Sequence, residues 1–168
     1  SLGKSGAKIV IEDCLVGKEA SIIAIVEGET VVPMVVSQDH KRINDGEQGA
    51  NTGGMGAISP TPVFPDARVS ELVETIFQPT LKELAKRGIY YSGFLYAGIL
   101  VTADGQANVI EFNCRCGDPE TQVIMMRMET DLVELIEATL AKKLNSIKMQ
   151  WKKEAAACVV MSSKGYPE

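Results

Sequence analysis

The chain has 168 residues, enough for one compact domain or a domain with a fragment of a second. Close to half of the residues are apolar, so a core is available, and 17 basic against 22 acidic residues leave a formal charge of −5. That balance supplies no basic face for nucleic acid, no apolar run reaches the length of a bilayer span, and no secretory signal pattern opens the chain, so neither a nucleic-acid nor a membrane partner is expected.

The opening Ser1–Gly6 is small and polar, without an initiator methionine, and leads into an alternating, β-branched stretch that predicts a strand over Lys8–Leu15. Glu19–Val26 is a second strand. The turn Glu27-Gly28-Glu29 joins it to Thr30–Val36 as a hairpin. Lys41–Pro62 is rich in Gly, Asn, Asp and Pro with little periodicity, and reads as a long loop of the functional or mobile kind. Asp66–Arg87 carries Val69, Leu72, Val73, Ile76, Leu81 and Leu84 at helical spacing. Pro79 interrupts that helix, which predicts a kink or two helices, and Gly88 stops it. Gly93–Thr102 is a buried strand, Ala103-Asp104-Gly105-Gln106 a tight turn, and Asn108–Asn113 the antiparallel return. Helices over Glu120–Met128 and Asp131–Leu144 follow, with Thr130 as N-cap of the second, and Ala155–Met161 is a last strand. The sum is an α+β domain, an antiparallel sheet with helices packed on one side.

Four cysteines, Cys14, Cys114, Cys116 and Cys158, make no disulfide framework. Cys114-x-Cys116 lacks a second Cys/His pair at zinc spacing, and His40 is the only histidine. Reduced thiols in a cytoplasmic protein are the plain reading.

The most informative stretch is Val109–Gln122. Glu111 and Asn113 stand two apart on a strand, so they share a face, with Ile110 and Phe112 on the other. Two oxygen ligands on one face suit a hard cation such as Mg²⁺. Arg115, two residues further on, adds the fixed positive charge that a phosphoryl-transfer centre requires. The ordinary alternative for Arg115 is an ion pair with Asp118. A second unusual stretch is Ser37-Gln38-Asp39-His40-Lys41-Arg42. Of its adjacent cations only one reaches a phosphate, since neighbours on a strand face opposite ways, and Lys41 is the choice. Asp39 and His40 position it, His40 reading as a hydrogen-bonded structural residue. Asn51, Thr52, Gly53, Gly54, Met55 and Gly56 offer backbone N–H groups with little side-chain obstruction, a cradle for phosphate or carboxylate, although no Gly-Lys-Ser/Thr follows to make it a Walker A loop.

These stretches, with I-E-D-C-L-V-G-K-E-A-S from Ile11, N-T-G-G-M-G-A from Asn51, G-F-L-Y-A-G from Gly93, E-F-N-C-R-C-G-D-P-E-T-Q from Glu111 and the closing V-M-S-S-K-G-Y-P, resemble the glycinamide ribonucleotide synthetase family of ATP-grasp ligases, in the family's order and over essentially the whole chain. The resemblance implies a second ATP-grasp lobe over residues 1–152, the start of a following domain over 153–168, and the remaining domains of the parent enzyme as partners. It implies ATP, with Mg²⁺ or Mn²⁺ on Glu111 and Asn113, and catalytic roles for Arg115 and Lys41. It implies that Glu12, Asp13, Cys14 and Leu15 run past the adenine, that Glu19 binds the ribose, and that Asn51–Gly56 and Asp118 bind substrate. The reaction so implied joins glycine to 5-phosphoribosylamine through a glycyl phosphate. Alternatives are a non-catalytic nucleotide-binding module and a different carboxylate–amine ligase. Asp13 and Cys14 depart mildly from the family, and the strand from Phe94 lacks a further acidic ligand, which leaves the number of metal ions open.

Overall fold

The computed structural model describes residues 3–167; Ser1, Leu2 and Glu168, the ends of the expected opening and closing stretches, lie outside the described residues. Two long strands form the spine: β1 (Gly17–Glu27) and, later in the chain, β7 (Ser92–Thr102) pair antiparallel from Gly17↔Thr102 to Glu27↔Ser92. The short β2 (Thr30–Pro33) and the return strand β8 (Ala107–Asn113) flank them, giving the order β2-β1-β7-β8.

β1 is apolar at consecutive positions, from Ile22 to Val26, and a strand of that kind needs cover on both faces. Its even positions, Ala20, Ile22, Ala24 and Val26, pack with Leu95, Ala97 and Ile99 of β7 against Leu72, Ile76, Phe77 and Leu81. Its odd positions Ile23 and Ile25 pack with Tyr96 against Ile124, Leu135 and Leu144. The mixed helix and antiparallel sheet is as expected, but helices cover both faces, not one, because the spine strands are apolar on both.

The helix under the first face is α1 (Val69–Leu72), a π-helical turn (Val73–Phe77) and α2 (Gln78–Lys86). Pro79 has no N–H to donate. The chain meets it with the wide turn, in which the Gln78 amide donates to the Val73 carbonyl five residues back, so the helix continues through the proline. On the other face α3 (Glu120–Arg127) and α4 (Leu132–Leu140) are shorter than expected. Asp131, not Thr130, caps α4: its side chain accepts from the Val133 amide, while the Thr130 hydroxyl accepts from Gln150 N.

Two other expectations change. Lys8–Leu15 forms no strand; a 3-10 turn over Gly3–Ala7 leads into a segment without regular structure, with Ile9 76 % and Ile11 88 % exposed. Its alternation suits a sheet, but among the described residues no strand edge pairs with it. The supposed loop Lys41–Pro62 contains three short strands, β4 (Arg42–Asn44), β5 (Gln48–Asn51) and β6 (Gly56–Ser59), and a fourth, β3 (Gln38–Asp39), lies just before it. β4 and β5 make a hairpin. β6 pairs with β3 and with the last strand, β9 (Ala156–Val159), in a second sheet of order β3-β6-β9. Residues beyond 152 therefore hydrogen-bond onto the glycine-rich stretch, Gly56↔Val159 to Ser59↔Ala156. A buried clamp ties this sheet to α3: Arg127 donates to Ser59 Oγ (2.7 Å) and to Asp66 Oδ2 (3.2 Å), and Asp66 accepts from Val36 N (3.0 Å). Among the described residues no helix is long and apolar enough to cross a membrane.

Candidate active site

The site is created by a one-residue irregularity. β8 runs opposite β7 with Val109↔Ile99 and Glu111↔Gly98, so Ile110 is an extra residue, a β-bulge. Because side chains alternate with period two, one extra residue sends everything after it to the opposite face. Val109 lies opposite Ile99, on the face closed by Phe77 and Leu81. Without the bulge Glu111 and Asn113 would follow it there. With it they stand opposite Gly98 and Tyr96, on the other face, in rows Ser21–Gly98–Glu111 and Ile23–Tyr96–Asn113. Gly98 leaves the room: a Cβ there would sit 3.3 Å from Glu111 Cγ. The two side chains touch, Asn113 Nδ2 donating to Glu111 Oε1 at 3.1 Å. That bond uses the amide nitrogen and leaves the Asn113 carbonyl oxygen and the Glu111 carboxylate as oxygen donors of the kind that suit a hard divalent cation. Among the described residues no group of three or more His, Cys, Asp or Glu is placed to cage a metal. A cation on this pair would take its other ligands from water or a phosphate chain, the usual way Mg²⁺ is held.

Around the pair lies a small polar cavity of about 70 Å³, lined among others by Asp39, Lys41, Asn113, Arg115, Asp118 and Glu120. Asp39 and Lys41 also line a cleft of about 600 Å³ with Lys18, Glu19, His40 and Asn51. Asp39 and Lys41 thus border both spaces. Lys41 Nζ donates to Glu19 Oε2 at 2.9 Å. Burial pulls the Lys41 ammonium down, but the Glu19 bond and charge, with Asp39 and Glu111 behind, bring the net shift upward. Lys41 therefore stays a cation at the junction. Arg42 instead donates to the Gly49 carbonyl at 2.7 Å. Arg115 donates to the Cys116 carbonyl at 2.9 Å, and the expected alternative partner, Asp118, accepts from Gln122 Nε2 at 2.7 Å. Arg115 has no carboxylate partner among the described residues, so its charge is available to a ligand. His40 Nδ1 is 2.7 Å from Glu47 Oε1, the hydrogen-bonded role expected of it.

Two carboxylates here escaped the reading of the sequence or were underweighted. Glu120, the first residue of α3, is buried, and its Oε1 accepts from Ser21 Oγ and from the Tyr96 hydroxyl, both at 3.0 Å. Burial, then the Glu120 charge, pushes the Tyr96 hydroxyl up, which keeps it a donor. Asp39, at the end of β3, has its carboxyl pushed up to about 7 by burial and then by Glu120, and its Oδ1 is buried without a hydrogen-bond partner among the described residues. The usable signal for Glu120 was the turn Gly117-Asp118-Pro119, which folds α3 straight back onto the strand it follows.

The glycine-rich segment does not offer free N–H groups as expected. Thr52 N donates to Lys41 O, Gly54 N to Thr52 Oγ1, Met55 N to His40 O, and Gly53 N to the Tyr166 hydroxyl. What the segment does is pack tightly. A Cβ on Gly54, whose φ is +130°, would lie 2.5 Å from Pro119 Cδ and 2.9 Å from Asp39 Oδ1. Gly54 is where the turn after β8 meets Asp39. Glu12, Asp13, Cys14 and Leu15 lie on the exposed segment before β1 and line neither space; of the expected nucleotide residues only Glu19 does.

The fold and this site define an ATP-grasp protein. An L-amino acid ligase from Bacillus licheniformis shares the fold at a TM-score of 0.57 with 15% identity, over 90% of this chain and 36% of that one. The domain described as phosphoribosylglycinamide synthetase, ATP-grasp (A) domain, matches residues 1–121, and the chain belongs to that family. It is 52% identical over 167 residues to the phosphoribosylamine–glycine ligase of Escherichia coli, covering 99% of this chain and 39% of that protein. The crystal structure of the Thermotoga maritima phosphoribosylamine–glycine ligase superposes with a TM-score of 0.79 at 34% identity, over 94% of this chain and 39% of that one. The chain thus spans about two-fifths of the length of the curated relatives it matches.

Proposed function

We propose that this chain supplies the phosphate-binding half of an ATP-dependent ligase that joins glycine to 5-phosphoribosylamine, in the cytoplasm and together with the remaining domains of its parent enzyme. The observation that carries the reading is the bulge at Ile110, which turns Glu111 and Asn113 onto the face that holds Glu19, Lys41 and the polar cavity. In this reading residues 1–152 are the lobe and 153–168 begin the next domain.

A carboxylate must approach a γ-phosphate that carries several negative charges. Each unit repulsion at 4 Å is of order 4 kcal/mol at an effective dielectric near 20. Glu111 and Asn113 would hold Mg²⁺ or Mn²⁺, which neutralises phosphate charge and orients the chain. Lys41 holds a phosphate oxygen at the junction of cleft and cavity, its position set by Glu19. Arg115 faces the transferring phosphoryl group with a planar fork that matches oxyanions. The γ-phosphorus–oxygen bond to ADP breaks as the glycine carboxylate oxygen bonds to phosphorus. The amine of 5-phosphoribosylamine then attacks the glycyl carbonyl, loses a proton, and expels phosphate. The adenine edge falls to Glu12, Asp13, Cys14 and Leu15 once the other lobe lies against that segment, and Asn51–Gly56 with Asp118 shape the substrate side.

The test is Glu111→Gln in the full-length protein. The side chain keeps its size and its contact with Asn113 but loses its charge. Divalent-dependent phosphate release from ATP should fall by at least about a hundredfold. Turnover near the wild-type rate would remove Glu111 from the site.

A further inference from the structure

Gly53 lines the polar cavity together with Glu111, Asn113 and Arg115. It is followed by a second glycine, Gly54, and glycine loses more backbone freedom on folding than any other residue, so this part of the wall has to be fixed by bonds from outside it. The neighbouring amides are held by nearby groups. Thr52 N donates to the Lys41 carbonyl at 2.8 Å, Gly54 N to Thr52 Oγ1 at 3.0 Å, and Met55 N to the His40 carbonyl at 2.8 Å. The Gly53 amide has one acceptor among the described residues, the Tyr166 hydroxyl at 3.1 Å, which lies 113 positions along the chain.

The chain that delivers Tyr166 follows the glycine-rich stretch step by step in the opposite direction. β9 pairs with β6 from Ser59↔Ala156 to Gly56↔Val159. One residue further on, Val160 N donates to the Met55 carbonyl at 2.9 Å. The chain then turns, Tyr166 N donating to the Ser163 carbonyl at 3.3 Å, and the tyrosine hydroxyl meets Gly53. Tyr166 is 40 % exposed, so its ring is no core element; what a phenylalanine in its place would lack is the acceptor for the Gly53 amide.

We propose that Tyr166 is a positioning residue of the site: its hydroxyl holds Gly53 in the wall of the cavity around Glu111 and Asn113, and residues 156–166 act as the strap that fixes the glycine-rich stretch. This role rests on the ligase reading, and under that reading it makes a residue beyond 152 part of the phosphate-handling site. Tyr166 acts through Gly53. A displaced Gly53 loosens the space in which the phosphoryl group is transferred, and misplacement of reacting groups lowers turnover. The cleft lined by Lys18 and Glu19 includes neither Gly53 nor Tyr166, so nucleotide affinity is left in place.

The experiment compares the full-length protein with its Tyr166→Phe variant in two arms. The first is amide hydrogen exchange without nucleotide or divalent ion. Exchange at Gly53 should quicken at least about tenfold in the variant, while Thr52, Met55 and Val160 keep their protection to within about twofold. The second is phosphate release from ATP in the presence of glycine and 5-phosphoribosylamine, corrected for the folded fraction. There kcat should fall about five- to fiftyfold with the KM for Mg-ATP within about twofold, the pattern of an interaction that serves the transition state and not uniform binding. A Gly53 amide that exchanges freely in the wild type, or equally in both proteins, overturns the proposal. Protection lost at Thr52, Met55 and Val160 as well overturns it, since that marks general loosening of β6 and β9. A variant that fails to fold overturns it too, because the hydroxyl would then serve the fold and not the site. So does a change confined to the KM for Mg-ATP. Wild-type protein that releases no phosphate overturns the ligase reading and this role together, whereas an active wild type with a Tyr166→Phe variant of equal kcat overturns this role alone.

Discussion

The two faces of the main sheet use the same strands for opposite ends. On one face every inward position of β1 and β7 is apolar, and the helix from Val69 to Lys86 closes it with Leu72, Ile76, Phe77 and Leu81. On the other face only the end near Ile23 and Ile25 is closed this way, by α3 and α4. The opposite end bears Glu19, Ser21, Tyr96, Glu111 and Asn113, with Lys41, Asp39 and Glu120 gathered above it. The closed face supplies cohesion. The open end spends some of it by holding carboxylates close together, Asp39 with a buried oxygen that has no hydrogen-bond partner among the described residues. Separate substitutions should therefore divide stability from activity.

The largest effect is expected at the closed face. Phe77 is fully buried, and Phe77→Ala leaves a cavity that the sheet cannot collapse into. The loss should be about 3–5 kcal/mol in denaturant unfolding, with the KM for Mg-ATP of the surviving folded fraction unchanged. A Phe77→Ala variant of normal stability would show that this face is not the anchor. A smaller loss is expected from Gly54→Ala, at the seam between the faces. Its Cβ meets Pro119 and Asp39 and its φ of +130° suits glycine alone. Unfolding should cost about 1–3 kcal/mol, as overpacking does, and phosphate release should drop further than that loss explains, since Asp39 and the turn after β8 must move apart. Equal stability and activity would mean the seam is slack.

Much of this arrangement is readable in the chain alone. The β-branched runs and the Asp104-Gly105 turn give the strands and hairpins, and the spacing of Glu111 and Asn113 gives their shared face. Which face they share is not readable, because the bulge at Ile110 is a property of the pairing with β7 and not of β8 itself. Lys8–Leu15 shows the same dependence in reverse: it has a strand's alternation, but a strand needs a partner, and among the described residues none pairs with it. Pro79 was a signal of trouble in a helix; that a π turn absorbs it depends on Phe77 and Leu81 both reaching the core. Glu120 looked like an ordinary acid at a helix start, favourable there in its own right. Only the fold shows that it turns inward beneath Tyr96. Local pattern thus gave element types, while side-chain destination came from non-local pairing.

The smallest expected effect concerns pH and isolates the open end. The Asp39 carboxyl sits at about 7 in the folded protein, pushed up first by burial and then by Glu120, against an ordinary value of 3.8. Between those two values the folded state holds a proton that the unfolded state has released. Stability contributed by that proton is fully present below the unfolded value and is lost as pH rises through about 7. The protein should therefore become less stable, through Asp39, as pH climbs from about 4 to about 7. Asp39→Asn removes the titrating group and should flatten that part of the stability curve, leaving the two variants nearest in stability at low pH and the Asn variant ahead at neutral pH. Urea midpoints across this range, without nucleotide or divalent ion, measure it. Parallel curves for the wild type and the variant would mean that Asp39 is solvated like any surface acid, and the contrast between a closed face and a strained open end would then rest on Glu120 alone.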